Sequence, residues 1–347
     1  MQGQHRTRRH DEHVSRPAVA PAVAVTSAMD SGELSAITAA LDGIADVAPL
    51  AEVGEQERAG AFERASALIS WHPDREVTEE DWHSAVHVRL LQTVSAGLDH
   101  VSARRIPPGV TVATNAGAYA EPMAEHAIAM ILALAKRLLG AHSELATGVF
   151  DQTTTGRSLV GQTAVILGYG GIGRAVAKLL RPFGVRVIGI SRSGTNDGTA
   201  DDVVDVHELA RTLPHADILV LTLPLTRRTA GLIDAEALAS MRDDAIRVNV
   251  ARGEIVDQQA LYARLVAEPR FLAGIDAWWV EPFRHGRFEL DHPFFELPNV
   301  LGSPHNSASV TGARRAGAQR AATNVARYLR GEQPQGVATA DDWFSDH

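Results

Sequence analysis

The stretch Thr163–Leu180, TAVILGYGGIGRAVAKLL, reads as an apolar strand that runs through a glycine cluster into a helix. Gly168, Gly170 and Gly173 satisfy the spacing G-x-G-x-x-G. The first glycine permits a tight turn, the second lets the backbone approach a pyrophosphate at the positive end of the helix, and the third allows close helix-to-strand packing. The bare pattern also occurs in ordinary glycine turns. A strand directly before it and a helix directly after it favour a dinucleotide cradle, so the whole loop is a candidate cofactor contact, with Tyr169, Gly171 and Ile172 between the glycines.

Shortly after that helix comes VRVIGISRS, Val185–Ser193. In sites that prefer NAD an acidic residue about 20 positions after the loop takes the ribose 2′-hydroxyl. Here Ser191 stands in that place and Arg192 follows it. A serine hydroxyl and a guanidinium suit a 2′-phosphate, to which Arg192 can make charge-assisted hydrogen bonds. NADP(H) is therefore the expected cofactor, with NAD(H) as the second choice if Arg192 stacks on the adenine or faces solvent.

Outward from this loop the chain alternates β-rich and helical runs, the pattern of parallel strands joined by crossover helices. AVAVTS, SGELSAITAALDGI, VAPL, ASALIS, VRLLQTVS and VTVATN form a first unit over roughly residues 20 to 115. QTAVILGYG opens a second unit, which continues through VRVIGIS, ADILVLTLP, AIRVNVA, LAGIDAWW and NVLGSPH. Between them EPMAEHAIAMILALAKRLLGAHSEL reads as one buried helix with Pro122 in its first turn. The late helix SVTGARRAGAQRAATNVARYLRG can pack back on the first unit. The expected division is a tail at 1–20, a discontinuous substrate domain at 21–116 plus 306–334, a dinucleotide domain at 117–305, and a mobile tail at 335–347.

At 347 residues the chain has room for two domains, and 45% hydrophobic with 22% charged residues is an ordinary globular composition. With 33 Lys and Arg against 42 Asp and Glu the net charge is −9, which disfavours nucleic acid and anionic lipid as partners. The sequence has no cysteine, so disulfides, thiolate zinc sites and a cysteine nucleophile are excluded. That also fits a reducing compartment, and a cytoplasmic location is expected. The most apolar run, Ala127–Ala135, is far shorter than the ~20 residues that span a bilayer. His5, His10 and His13 lie in the N-terminal tail without preorganised geometry, so no metal site is expected.

Three charged residues follow strands of the second unit: Arg252 in VNVARGE, Glu281 in DAWWVEP and His305 in GSPHNSA. Singly each reads as a loop charge or a structural histidine; together, beside a nucleotide loop, they suggest an acid/base pair and an anion clamp. From about Ala22 to Gly331 the chain resembles the D-isomer-specific 2-hydroxyacid dehydrogenases. The resemblance lies in SAGLDHVS, GAYAEPMAEHAIAMILALAKR, LVGQTAVILGYGGIGRAVAKLLRPFGVRVIG, ADILVLTLPLT, MRDDAIRVNVARGEIVDQQAL, AGIDAWWVEP and LPNVLGSPHNSAS.

That resemblance implies an α/β architecture of two Rossmann-like or flavodoxin-like, doubly wound parallel-sheet domains with the active site in the cleft between them. It implies that Arg252, Glu281 and His305 are the catalytic trio. His305 would donate a proton to the carbonyl oxygen of a 2-keto acid, Glu281 would hold the other ring nitrogen, and Arg252 would grip the substrate carboxylate. Ala96, Gly97 and Leu98 would cradle the same carboxylate with backbone N–H groups. Leu223, Pro224, Val250, Ala251, Asp276 and Ser307 join Arg252 and His305 around the nicotinamide, and Asp276 is expected to accept from the carboxamide. Thr222 stands where relatives often carry histidine.

The implied reaction interconverts a D-2-hydroxy acid and a 2-keto acid, more as a reductase, in a homodimer, with the domains closing about Asn115 and Pro304. Two other readings share the scaffold: a dinucleotide-sensing corepressor, favoured only by Trp343 and Phe344 in the C-terminal tail, and a phosphite or other small-acid dehydrogenase. Trp278 and Trp279 are expected to seal the domain edge, and His285 and His292 to lie at the surface.

Overall fold

Short apolar runs become strands with helices on both faces, which is why they read as nearly continuous hydrophobic segments. The computed structural model describes residues 21–344. The expected N-terminal tail, with His5, His10 and His13, lies outside the described residues. Strands β1 (Ala22–Val25), β2 (Asp46–Pro49), β3 (Ala65–Ser70), β4 (Leu90–Thr93) and β5 (Thr111–Ala113) form a five-stranded sheet in the order β2-β1-β3-β4-β5. Every pair in it is parallel.

The second sheet has seven parallel strands: β6 (Thr163–Leu167), β7 (Arg186–Ile190), β8 (Asp202–Val204), β9 (Ile218–Leu221), β10 (Ile246–Asn249), β11 (Leu272–Ile275) and β12 (Val300–Gly302). Their order is β12-β11-β10-β9-β6-β7-β8. Both sheets are doubly wound, and their strand order reverses between β1 and β3 and between β6 and β9. In such sheets the ligand crevice lies beyond the carboxyl ends of the strands at those reversals. The edge strand β8 went unread in the sequence because three residues beside two aspartates carry no hydrophobic pattern.

The helix expected over residues 121–145 is broken. Helix Ala120–Ala135 lies buried against β10 and β11, then Arg137 takes a left-handed conformation (φ 54°) and helix Leu138–Ala146 sets off without a buried residue. A helical hydrophobic pattern cannot reveal a single left-handed residue. Among the described residues no helix is long and apolar enough to cross a membrane.

Helix Ala313–Leu329 returns to the first sheet, packing on helix Ser31–Leu41 and burying Ala318, Ala321, Ala322 and Val325 with Val23, Ile37 and Ile69. The expectation of a mobile C-terminal tail needs correction. Thr114 N donates to Gly336 O (2.9 Å), Ala338 N donates to Val112 O (2.8 Å), and Ala113 forms an antiparallel bridge with Val337. The segment covers the open edge of β5, whose unpaired backbone groups offer it partners. Trp343 then packs against the first unit and Phe344 against the second, so both aromatic residues are engaged within the chain.

Candidate active site

The glycine loop joins β6 to helix Gly171–Leu180. Gly168 sits at φ 103°, and a Cβ there would lie 2.6 Å from Leu223 N. A Cβ on Gly173 would lie 2.4 Å from Gly168 O, so both positions exclude any side chain. Gly170 differs: a Cβ would meet nothing within 4 Å, and no side chain caps the helix there. The loop thus presents an open, uncapped helix N-terminus to the cleft, as a pyrophosphate cradle requires. Tyr169 points inward, buried against Gly189, with its hydroxyl donating to Asp197 Oδ1 (3.0 Å). Thr222 donates to Gly168 O (2.7 Å) and so ties the end of β9 to the loop.

The ends of the two sheets face each other across a cleft of about 1350 Å³. That exceeds the ~300–1,000 Å³ of most single-ligand sites and leaves room for a dinucleotide beside a small acid. Gly170, Gly171, Ile172, Leu223, Pro224, Val250, Ala251, Arg252, Glu281, His305 and Ser307 line it from one side, Ala96 and Gly97 from the other. Leu98 is buried beneath that turn instead of lining the cleft. Trp71, Trp278, Phe283, Phe288 and Phe295 add apolar walls.

Arg252 is placed by the turn after β10, where Asn249 accepts from Ala251 N (3.0 Å) and donates to Arg252 O (2.8 Å). Its Nε donates to Asp99 Oδ2 (3.0 Å) and its Nη1 to Ala251 O (2.8 Å). Nη2 lies so close to the Ala96–Leu98 turn that a Cβ on Gly97 would sit 2.9 Å from it. Glycine is needed there for close approach. Burial opposes the Arg252 charge, but Asp99, with Glu281 and Glu254, outweighs it and raises the pKa above the ordinary arginine value. Asp99 itself is nearly enclosed; burial pushes its pKa up, yet Arg252, helped by His100 and Arg284, holds it down at about 2.

His305 and Glu281 meet as a pair. Nδ1 of His305 lies 2.6 Å from Glu281 Oε2, while Glu281 Oε1 accepts from Trp278 N (2.6 Å). His305 occupies the left-handed region at φ 49°, a strained setting for histidine that persists only where its surroundings enforce it. Asp276 does so. His305 N donates to its backbone oxygen (2.9 Å), and Asn306 N, Ser307 N and the Ser303 hydroxyl donate to its carboxylate.

Asp276 is fully buried, and its oxygens hold the loop that carries His305. The Ser307 hydroxyl is buried without a protein partner at the cleft wall, a polar group left for a ligand. Trp279 is a core residue stacked on Phe294, whereas Trp278 both packs in the core and faces the cleft. His285 is exposed; His292 is half-buried, stacked on Tyr262.

Sequence reading missed Asp99, although it sits inside the quoted SAGLDHVS turn. It also missed His100, whose pKa burial lowers to about 4 and whose Nε2 lies 3.2 Å from Ser95 Oγ and 3.1 Å from Trp71 O. Ser191 and Arg192 lie at the end of β7, outside the cleft lining. Arg192 is largely exposed and pairs with Asp342 (3.1 Å).

Residues 128–307 match the family described as D-isomer specific 2-hydroxyacid dehydrogenase, NAD binding domain. The hydroxypyruvate reductase of Thermotoga maritima is 31% identical over 69% of this chain and 77% of its own length. The glyoxylate reductase of Pyrococcus furiosus is 28% identical over 82% of this chain and 87% of its own. Among solved structures, a D-isomer specific 2-hydroxyacid dehydrogenase from Xanthobacter autotrophicus, in complex with NADPH and MES, superposes with a TM-score of 0.78 at 27% identity, covering 92% of this chain and 98% of that one.

Proposed function

The chain belongs to the D-isomer specific 2-hydroxyacid dehydrogenase family, and from that premise we propose that it reduces a small 2-keto acid of the glyoxylate or hydroxypyruvate type with NADPH preferred over NADH. The observation that carries this reading is the His305–Glu281 pair, set in one cleft with Arg252 and an open glycine loop. The substrate domain is residues 21–116 with 306–334, and the dinucleotide domain is 117–305.

Gly168 to Gly173, with Leu223, Pro224, Val250, Ala251 and Ser307, hold the dinucleotide. When bound, its reduced nicotinamide supplies hydride to the substrate carbonyl carbon. Arg252 Nη2 and the backbone N–H groups of Ala96 and Gly97 bind the substrate carboxylate, with the guanidinium fixed by Asp99. His305 Nε2 gives a proton to the carbonyl oxygen as negative charge builds there. Glu281 pairs with the other ring nitrogen, which fixes the ring's orientation. The apolar side chains of the wall exclude water.

Purified protein is expected to consume NADPH faster than NADH at equal concentration with glyoxylate or hydroxypyruvate, read as loss of the dihydronicotinamide absorbance. Pyruvate and phenylpyruvate in the same panel report the size of the pocket. Tight binding of both cofactors without turnover on any of these acids would overturn the proposal. The NADPH complex of the Xanthobacter relative supports the cofactor reading, as does serine rather than an acidic residue at position 191.

We further propose a homodimer formed through helix Leu138–Ala146, which exposes Leu138, Leu139 and Leu145 with Phe150 just beyond it. A second copy would cover this apolar face. Leu139→Glu with Leu145→Glu is expected to give monomers in sedimentation analysis, and a wild-type protein that sediments as a monomer at micromolar concentration would contradict the dimer. The cysteine-free sequence supports a cytoplasmic setting.

A further inference from the structure

Arg192 is not a free cation waiting at the end of β7. Its Nη2 lies 3.1 Å from Asp342 Oδ1, across 150 residues of sequence. The neighbouring Asp341 pairs with Nη2 of Arg228 at 2.8 Å, in the loop after β9. β7 and β9 flank β6 in the sheet, so the two arginines stand on either side of the strand that carries the glycine loop. The adenosine half of a dinucleotide is bound at this side of such sheets.

Asp342 is held ready for that contact. Its Oδ2 accepts from Thr339 N (2.9 Å) and Thr339 Oγ1 (2.7 Å), leaving Oδ1 for Arg192. The segment is anchored before it by Ala338 on β5. After it, Trp343 O accepts from Arg227 N (3.4 Å) and the Phe344 ring lies 5.4 Å from the Arg284 guanidinium carbon. The chain lacks a carboxylate at residue 191, yet the fold brings one to the same place from the far end of the sequence.

We propose that Asp341 and Asp342 are specificity residues for the dinucleotide: their carboxylates occupy Arg228 and Arg192, and a 2′-phosphate must displace Asp342 to bind, whereas a 2′-hydroxyl need not. The proposal rests on the reading that Arg192 faces the 2′ position. The docked segment moderates the NADP(H) preference that Arg192 alone would confer. Because Arg192 is well exposed and the pair is screened by salt, the effect is modest, about two- to fivefold in affinity.

The test is the full-length Asp341→Asn, Asp342→Asn variant, in wild-type and Arg192→Ala backgrounds, with dissociation constants for NADPH and NADH read from dihydronicotinamide fluorescence. Asparagine keeps a side-chain oxygen for Thr339, so the turn is retained. NADPH is expected to bind about two- to fivefold tighter to the variant, with NADH changed by less than about twofold and with the gain absent in the Arg192→Ala background. If Arg192→Ala weakens NADPH selectively but the asparagine variant leaves both constants as they were, the proposal fails and the Arg192 reading stands. If Arg192→Ala leaves the ratio of the two constants unchanged, both fail.

Discussion

Substituting asparagine for His305 is expected to lower kcat by about 10²–10⁴-fold while the protein still folds and binds NADPH measurably. Asparagine suits this position because it tolerates the left-handed backbone at φ 49° better than alanine or glutamine. It keeps the hydrogen bond from residue 305 N to the backbone oxygen of Asp276, which anchors the loop. What it removes is the ring that links the Glu281 carboxylate to a reacting oxygen. Single-turnover rates with glyoxylate, paired with a cofactor titration and a thermal melt, separate this loss from misfolding. A variant that turns over within about threefold of the wild type would take His305 out of the reaction.

The second large effect concerns Asp99. Asp99 is buried while Arg252 is partly exposed in the cleft and keeps Glu281 and Glu254 nearby, so Asp99→Ala is expected to destabilise the protein by about 1.5–3 kcal/mol and to raise KM for the keto acid as Arg252 loses its anchor. Replacing both partners by apolar residues of similar volume, Asp99→Leu with Arg252→Met, is expected to recover most of the stability but none of the turnover. Urea unfolding of the three proteins decides the matter. An Asp99→Ala variant within about 1 kcal/mol of wild type would mean that the pair is not a structural element.

The pH dependence has a definite sign. Asp99 has its pKa lowered to about 2 from an unfolded value of 3.8. Its contribution of about 2 kcal/mol is fully present above the unfolded value and is lost as pH falls through about 2. Above pH 4 the partner of Arg252 stays ionised, so no change in substrate affinity at ordinary assay pH should trace to Asp99.

The two doubly wound sheets were legible because their strands are local apolar runs separated by turn and helix signals. The seven-stranded sheet departs from the reading only at β8, where three residues carry too little pattern. The glycine loop was legible for a related reason: Gly168 and Gly173 answer steric demands set by neighbours close in sequence or on the next strand, as Gly173 does against Gly168 O, while Gly170 leaves the helix end open. Arg252, Glu281 and His305 could be named from the order of motifs, but nothing in their spacing shows that Glu281 lies 2.6 Å from the ring of His305.

By itself, the sequence determined the strands and most helices, the mid-chain nucleotide loop and the family, since each of these follows from residue pattern over a short stretch or from motifs in order. Tertiary structure alone decided that Asp99 clamps Arg252, that Asp276 braces the loop of His305, that Ser307 offers a free hydroxyl, and that Asp342 reaches Arg192. The physical reason is the same throughout. These contacts join positions brought together by the facing strand ends of the two sheets, or by a C-terminal segment laid across both units. Their geometry depends on how whole layers pack and not on the periodicity of any one segment.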